Sequence, residues 1–159
     1  FVPPPDVRWN RVIPPDREEL VVHHDLAPWN LVRGPGEVDG ARLVVIDWDL
    51  VAPGTRLWDL SYAAHAFVPL APGTRTARAA VGLCALADGY DLDEPGRREL
   101  AGLLARRTRS MYDLLRRGAA AGSQPWAGLW EAGHGRSWLA DTAWIDEHEE
   151  DLRRALLDG

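Results

Sequence analysis

Two short polar segments of the sequence carry the residue types that acid–base and metal chemistry need. In the first, the carboxylate of Asp25 and the carboxamide of Asn30 stand five residues apart, directly after a β-prone apolar run. A carboxylate can take or orient a hydroxyl proton, and an amide oxygen can ligate a hard cation such as Mg2+. In the second, Asp47 and Asp49 follow another apolar run, and strand alternation predicts that they share one side, with Trp48 opposite. Converging loops would therefore place a base beside oxygen ligands for a metal.

Short strands must hold these two segments. The apolar runs at residues 20–22, 30–33 and 42–46 predict three strands, and the glycine-rich stretch 34–40 predicts a turn between the second and the third. The two polar segments then flank one hairpin. We expect the first strand to be buried and to deliver its following polar residues into a loop.

After residue 54 the apolar spacing changes to a helical period. It predicts four helices, at residues 57–67, 74–89, 97–117 and about 137–157. The third is amphipathic, and its arginines form either a solvated face, which we favour, or a phosphate or partner site: Arg106, Arg107, Arg109, Arg116 and Arg117. We expect Gly118 to end this helix and the lone Cys84 to be a reduced, buried thiol. The fold class is therefore α+β, mostly helical with a small β-hairpin that carries both loops.

The composition excludes several kinds of chemistry. All 18 basic residues are arginine, so a Walker-type phosphate loop, a Schiff-base enzyme and a kinase-type strand lysine are excluded within these 159 residues. The net charge of −6 argues against a nucleic-acid partner, whose recognition needs a basic face. No apolar run approaches the ~18 residues of a membrane span. We therefore expect a cytoplasmic protein with no membrane partner.

Three motifs in order resemble those of the aminoglycoside phosphotransferase and choline kinase superfamily, which shares its architecture with protein kinases. The family's catalytic loop, H-x-D-x-x-x-x-N, is matched by His23, Asp25 and Asn30. Its metal loop, I-D-W/F-D/E, is matched by residues 46–49, and G-x-x-x-W/Y-D-L-A is matched by residues 54–61, with serine in the last place. Each motif alone is weak, but the three in this order are specific.

This resemblance implies a phosphotransferase that uses ATP and Mg2+ to phosphorylate a hydroxyl of a small molecule. Asp25 is then the catalytic base that orients the acceptor hydroxyl. Asn30 and Asp47 bind the Mg2+ that bridges the nucleotide phosphates, and Asp49 assists the metal or holds its loop.

The resemblance also implies supporting roles for other residues of the motifs. His23 corresponds to a histidine that braces the catalytic loop, and Asp59, next to Trp58, to an aspartate that anchors the following helix. Both roles are structural rather than chemical. The family usually has glycine where His24 and Trp29 stand. We expect Trp29 to narrow the acceptor side; His24 either lines that side or is an ordinary packed or surface histidine.

The domain organisation follows from the same resemblance. Residues 1–18 are expected to be a linker, and residues 19–159 a protein-kinase-like C-terminal lobe, with both loops in 19–52 and a helical subdomain in 53–159. The family's N-terminal β lobe, which covers ATP and supplies a lysine to its phosphates, is absent. We therefore expect that missing lobe to be a partner and the isolated chain to be inactive. The only methionine is Met111, so we also expect residues upstream of the first.

Several alternatives remain open at this stage. The chain is also consistent with a non-catalytic binding or immunity module, since residues 1–5 and 67–70 resemble a bacterial branch described as trifolitoxin-immunity-like. A two-metal hydrolase would use the histidines and aspartates of the two loops. The negative net charge favours a cationic acceptor. The acidic stretch between Asp141 and Asp151 is either a solvated helix face or the wall that captures such an acceptor.

Overall fold

The computed structural model describes residue 4, residues 6–34 and residues 42–159. Most of the expected glycine-rich turn, and residues 1–3 and 5 of the expected linker, lie outside the described residues. The described part of the chain before Leu20 has no helix or strand, but it packs on the rest of the molecule. Ile13 is buried in one cluster with Trp58 and Tyr62.

In the described residues, four short strands form two separate antiparallel sheets. β1 (Leu20–Val22) pairs with β4 (Ala52–Gly54), and β2 (Leu31–Arg33) pairs with β3 (Leu43–Val45). A single 3-10 turn, Pro28–Asn30, leads into β2. The two polar segments therefore flank the predicted hairpin, and each of them runs from one sheet to the other.

β4 was not predicted, and it contains Pro53, which lacks the amide donor that a strand within a sheet needs. The strand forms because β4 pairs only with β1, which leaves an edge where proline is tolerated. The expectation that β1 is buried is also wrong, since only Val22 is buried and Leu20 is exposed. A two-stranded ribbon at the surface covers one face only.

Six helices follow the strands within the described residues. They are α1 (Arg56–Phe67), α2 (Thr76–Gly89), α3 (Glu94–Ala121), α4 (Trp126–Glu131), α5 (His134–Glu147) and α6 (Glu149–Asp158). The expected bounds hold closely for α1 and α2. The expected last helix is two helices, because the backbone of His148 leaves the helical region (φ −109°, ψ 11°).

The long helix α3 extends past both predicted ends. The Asp93 side chain accepts a hydrogen bond from the backbone nitrogen of Gly96 (2.9 Å), which begins the helix, and Gly122 ends it in the left-handed conformation (φ 62°). The expectation that Gly118 ends α3 is wrong, because Gly118 lies inside the helix. Its missing side chain makes room for Trp126, which a Cβ at this position would strike.

The core is organised around α3, which contacts α1, α4, α5 and α6. Its leucines and Met111 are buried, as predicted. Cys84 is a free thiol but only half-buried, and its Sγ donates to the carbonyl of Ala155 (3.3 Å). None of the described helices is long and apolar enough to cross a bilayer.

Candidate functional site

The side chains of Asp25 and Asn30 meet within the first loop, which comprises residues 23–30. The Nδ2 of Asn30 donates to the backbone oxygen of Asp25 (2.8 Å) and to its Oδ2 (3.1 Å). Both partners are acceptors, so the amide nitrogen must face Asp25, and the Oδ1 of Asn30 points elsewhere. Asn30 is buried and Asp25 is half-buried. The loop therefore orients one carboxylate and leaves one amide oxygen available as a ligand.

His23 ties the first loop to the second loop, which comprises residues 46–51. The His23 Nε2 donates to the carbonyl of Ile46 (2.9 Å), and its Nδ1 accepts from the backbone nitrogen of Asp25 (3.2 Å). These two partners require a neutral ring with its proton on Nε2. The ring also lies edge-on against Trp48, with 4.7 Å between centroids. The structure thus gives His23 bracing contacts with both loops.

Asp59 holds the backbone of the first loop from the start of α1. The hydroxyl of Thr55 accepts from the nitrogen of Trp58 (3.1 Å), which caps α1 and places Asp59 in its first turn. The Asp59 carboxylate accepts from the backbone nitrogens of His23 (3.3 Å) and His24 (2.7 Å). Trp58 is buried beside it. These contacts link α1 directly to the residues that precede Asp25.

His24 is buried inside the protein, which agrees with the packed histidine of its two alternatives. Its backbone adopts the left-handed conformation (φ 64°), which turns the ring inward, where Nε2 donates to the carbonyl of Pro53 (3.2 Å). Burial, and then the charge of Arg107, lower the pKa of His24 below its usual value. The left-handed backbone gives glycine a physical advantage here. Trp29, by contrast, is 66% exposed at the surface.

The second loop is exposed, and it is not a strand. β3 ends at Val45, and Asp47 has a left-handed backbone (φ 63°). Strand alternation therefore breaks there, and the expectation that it sets the sides of Asp47, Trp48 and Asp49 is wrong. All three are exposed. The loop is positioned by its backbone, because the nitrogen of Ile46 donates to the carbonyl of Asn30 (3.0 Å).

The Asn30–Ile46 hydrogen bond brings the two expected metal-binding residues to the same end of the β2–β3 ribbon. Asn30 contributes its amide oxygen there, and Asp47, the residue after Ile46, contributes an exposed carboxylate. Such oxygen ligands fit a hard divalent cation that keeps several waters. Among the described residues, no three His, Cys, Asp or Glu side chains form a group that could hold a metal ion, so the two-metal hydrolase arrangement is not assembled.

The sequence pattern predicted the wrong environment for Arg107. Arg107, expected on the solvated face of α3, is 0% exposed, and its Nη2 donates to the carbonyl of His24 (2.6 Å). Its guanidinium lies over the rings of Tyr62 (4.5 Å) and Trp58 (5.4 Å). Helical periodicity cannot identify such a residue, because the partner that accepts its hydrogen bond is 83 positions away.

Comparison with known proteins identifies one family. Residues 6–103 match the model of the phosphotransferase enzyme family, and this match covers both loops, α1, α2 and the start of α3. No curated protein and no solved structure matches the chain. The mostly helical fold with small antiparallel sheets is compatible with a fragment of a kinase-like protein.

Proposed function

The chain belongs to the phosphotransferase enzyme family, and from that premise we propose that it takes part in moving the γ-phosphoryl group of ATP to a hydroxyl of a small molecule, with Mg2+ bound. One observation carries the proposal: Asn30 orients the Asp25 carboxylate and is itself hydrogen-bonded to Ile46, the residue before Asp47. We further propose that the protein works in the cytoplasm.

Phosphoryl transfer needs positioning and charge neutralisation more than covalent chemistry. The Oδ2 of Asp25 is held by Asn30, which leaves its other oxygen to accept the hydrogen bond of the acceptor hydroxyl and then its proton. Asn30 and Asp47 would hold the Mg2+, which supplies positive charge to the nucleotide phosphates when bound. Asp49, exposed two residues on, would assist the metal or hold the loop.

A lysine for the nucleotide phosphates has no counterpart among these 159 residues, where every basic residue is arginine. We propose that a β lobe outside this sequence supplies it and that the 159-residue chain alone transfers phosphoryl groups negligibly. The acceptor is proposed to be cationic, because a net charge of −6 favours cations over anions. Robust ATP turnover by this chain that disappears in Asp25→Asn would overturn the proposed inactivity.

Titration calorimetry with ADP and Mg2+ tests the proposed function on the chain itself. We expect weak, Mg2+-dependent nucleotide binding that Asp47→Ala weakens at least ~10-fold, because a carboxylate ligand is lost. Asp91→Ala is the matched control, since Asp91 is also an exposed aspartate with a left-handed backbone (φ 56°) but lies between α2 and α3. Equal loss in both variants, or no Mg2+-dependent binding, contradicts the proposal and favours a non-catalytic binding module.

A further inference from the structure

A cavity of about 250 Å3 lies between the middle of α3 and the segment that precedes β1. Pro14 and Pro15 line it from that segment, and α3 contributes Arg106, Arg109 and Arg117. These arginines follow one another at spacings of three and eight positions, so they project from one face of the helix. They belong to the arginine-rich stretch for which a phosphate site was one alternative, and the proposed function uses none of them.

The charges around this cavity are unbalanced. Asp113 is the one carboxylate among the described residues that line it, and its Oδ1 is 3.8 Å from Arg109 Nε and 3.7 Å from Arg116 Nη2. Arg117 is held by a neutral partner, since its Nη2 donates to the carbonyl of Val12 (3.2 Å). Against three guanidinium groups, one carboxylate leaves the lining with a net charge of +2.

Two further carboxylates lie on the other side of the same arginines. Asp146 and Glu149 line a separate cavity together with Arg106 and Arg109. Both carboxylates are exposed, and neither forms a salt bridge with these arginines. Water and salt screen exposed charges that are not in contact. The positive charge of the first cavity is therefore only weakly compensated from this side.

Trp58 is the buried part of the cavity wall, with 2% of its surface exposed. The guanidinium of Arg106 lies over its ring (5.3 Å), and this stacking holds an otherwise flexible cation beside the cavity. The Nε1 of Trp58 is buried and has no hydrogen-bond partner among the described residues. Buried donors are almost always paired, so this wall has a donor that can still take an acceptor.

We propose that this cavity binds a doubly charged oxyanion, the phosphate group. A dianion balances the net charge of +2, and guanidinium groups pair with phosphate oxygens two at a time. The volume is below the range of about 300 to 1,000 Å3 that drug-sized ligands occupy, which suits a single phosphate group. The site is separate from the proposed catalytic and metal-binding residues and does not rest on the proposed function.

Isothermal titration calorimetry with inorganic phosphate tests the site, at constant ionic strength and at about pH 8, where the ion is mostly doubly charged. We expect Arg106→Gln to weaken binding about 10-fold, the loss of one charge-assisted hydrogen bond. Asp113→Asn should tighten binding, because it removes the negative charge from the lining. Changes of opposite sign in these two variants are the signature of an anion in this cavity.

Arg116→Gln is the matched control. Arg116 is an exposed arginine of the same helix and also lies 3.7 Å from Asp113, but it is not among the described residues that line the cavity. Its replacement changes the net charge of the protein by the same amount, and we expect phosphate to bind as it does to the wild type. In 15N-labelled protein, the indole N–H signal of Trp58, assigned with Trp58→Phe, should shift as phosphate is added. The arginine variants decide the test even if Trp58→Phe does not fold.

Three results would overturn the site: no phosphate binding, equal weakening in Arg106→Gln and Arg116→Gln, or acetate binding as tightly as phosphate, since a carboxylate carries a single charge. Glycerol 2-phosphate distinguishes two sources of the same group. Tighter binding than that of inorganic phosphate assigns the site to an organic phosphate, and weaker binding assigns it to the free ion. Asp47→Ala should bind phosphate as the wild type does, whatever happens to its nucleotide binding. A loss of phosphate binding in Asp47→Ala would place the ion at the proposed metal site and contradict the inference.

Discussion

The two loops of the site are built in opposite ways. In the first loop, His23, His24 and Asn30 are buried, and their polar groups are bonded to α1, α3, the second loop and β4. In the second loop, residues 46–49 are all exposed. Its main attachments are the backbone hydrogen bond from Ile46 to Asn30 and the carbonyl of Ile46 that accepts from His23.

This difference separates two tasks of the proposed chemistry. A group that orients a hydroxyl must already be in place before the reaction, because reorganising it during the reaction costs free energy. In the first loop, side-chain hydrogen bonds hold the groups in place, and tertiary packing shields these hydrogen bonds from water. A metal ligand can adjust when its cation arrives and can remain exposed until then. The packed loop should therefore govern stability, and the exposed loop should govern binding.

Among the variants of the two loops and their supports, Asp59→Ala should change the free energy of unfolding most. It leaves the backbone nitrogens of His23 and His24 without their acceptor and removes a negative charge near Arg107. We expect the free energy of unfolding to fall by about 2 to 4 kcal/mol, measured by urea denaturation. Asp49→Ala, in the exposed loop, should change it by less than ~0.5 kcal/mol. Similar losses in the two variants would remove the distinction between the loops.

His24 in the first loop should cause part of the pH dependence of stability. Burial lowers the pKa of His24 in the folded protein below the ordinary value of 6.5, so the unfolded chain takes up the proton more readily. Stability is therefore full above about pH 6.5 and falls as the pH drops below it. We expect His24→Asn, whose new side chain tolerates the left-handed backbone, to reduce the loss of unfolding free energy between pH 7 and pH 5.

The control for His24 is His134→Asn, because His134 is exposed at the start of α5. Urea denaturation of the wild type and of both variants at the two pH values gives the comparison. If His24→Asn retains the full wild-type loss, the buried ring is not responsible for it.

The smallest effect on stability is expected in the exposed loop. Asp47→Gly removes the strain of the left-handed backbone, which stabilises the folded protein by about 1 to 2 kcal/mol. Glycine also gives the unfolded chain more conformational freedom, which lowers the free energy of unfolding by roughly 0.4 to 1 kcal/mol. A small net rise in stability should result, and Asp91→Gly should show the same rise. Only Asp47→Gly should also lose Mg2+-dependent ADP binding. A marked loss of stability in Asp47→Gly would show that the second loop is packed after all.

Much of the local structure could be predicted from the sequence. The hairpin between the two loops, α1 and α2 follow from apolar spacing and from glycine and proline, because these signals act over a few residues. The prediction failed where a distant residue decides the outcome. Gly118 suggested a helix end, but Trp126 packs against it; no strand was predicted at residues 52–54, but they pair with β1.

The sequence by itself determined the residue types and their order: an aspartate and an asparagine after one strand, an aspartate pair after another, and a third motif at the start of α1. Tertiary structure decided which of these groups are enclosed. Arg106 and Arg107 are neighbours in an arginine-rich segment, yet Arg106 is exposed, whereas Arg107 is buried and donates to the carbonyl of His24. Burial of a charge depends on the partners that surround it in space, and a periodic pattern contains no information about them.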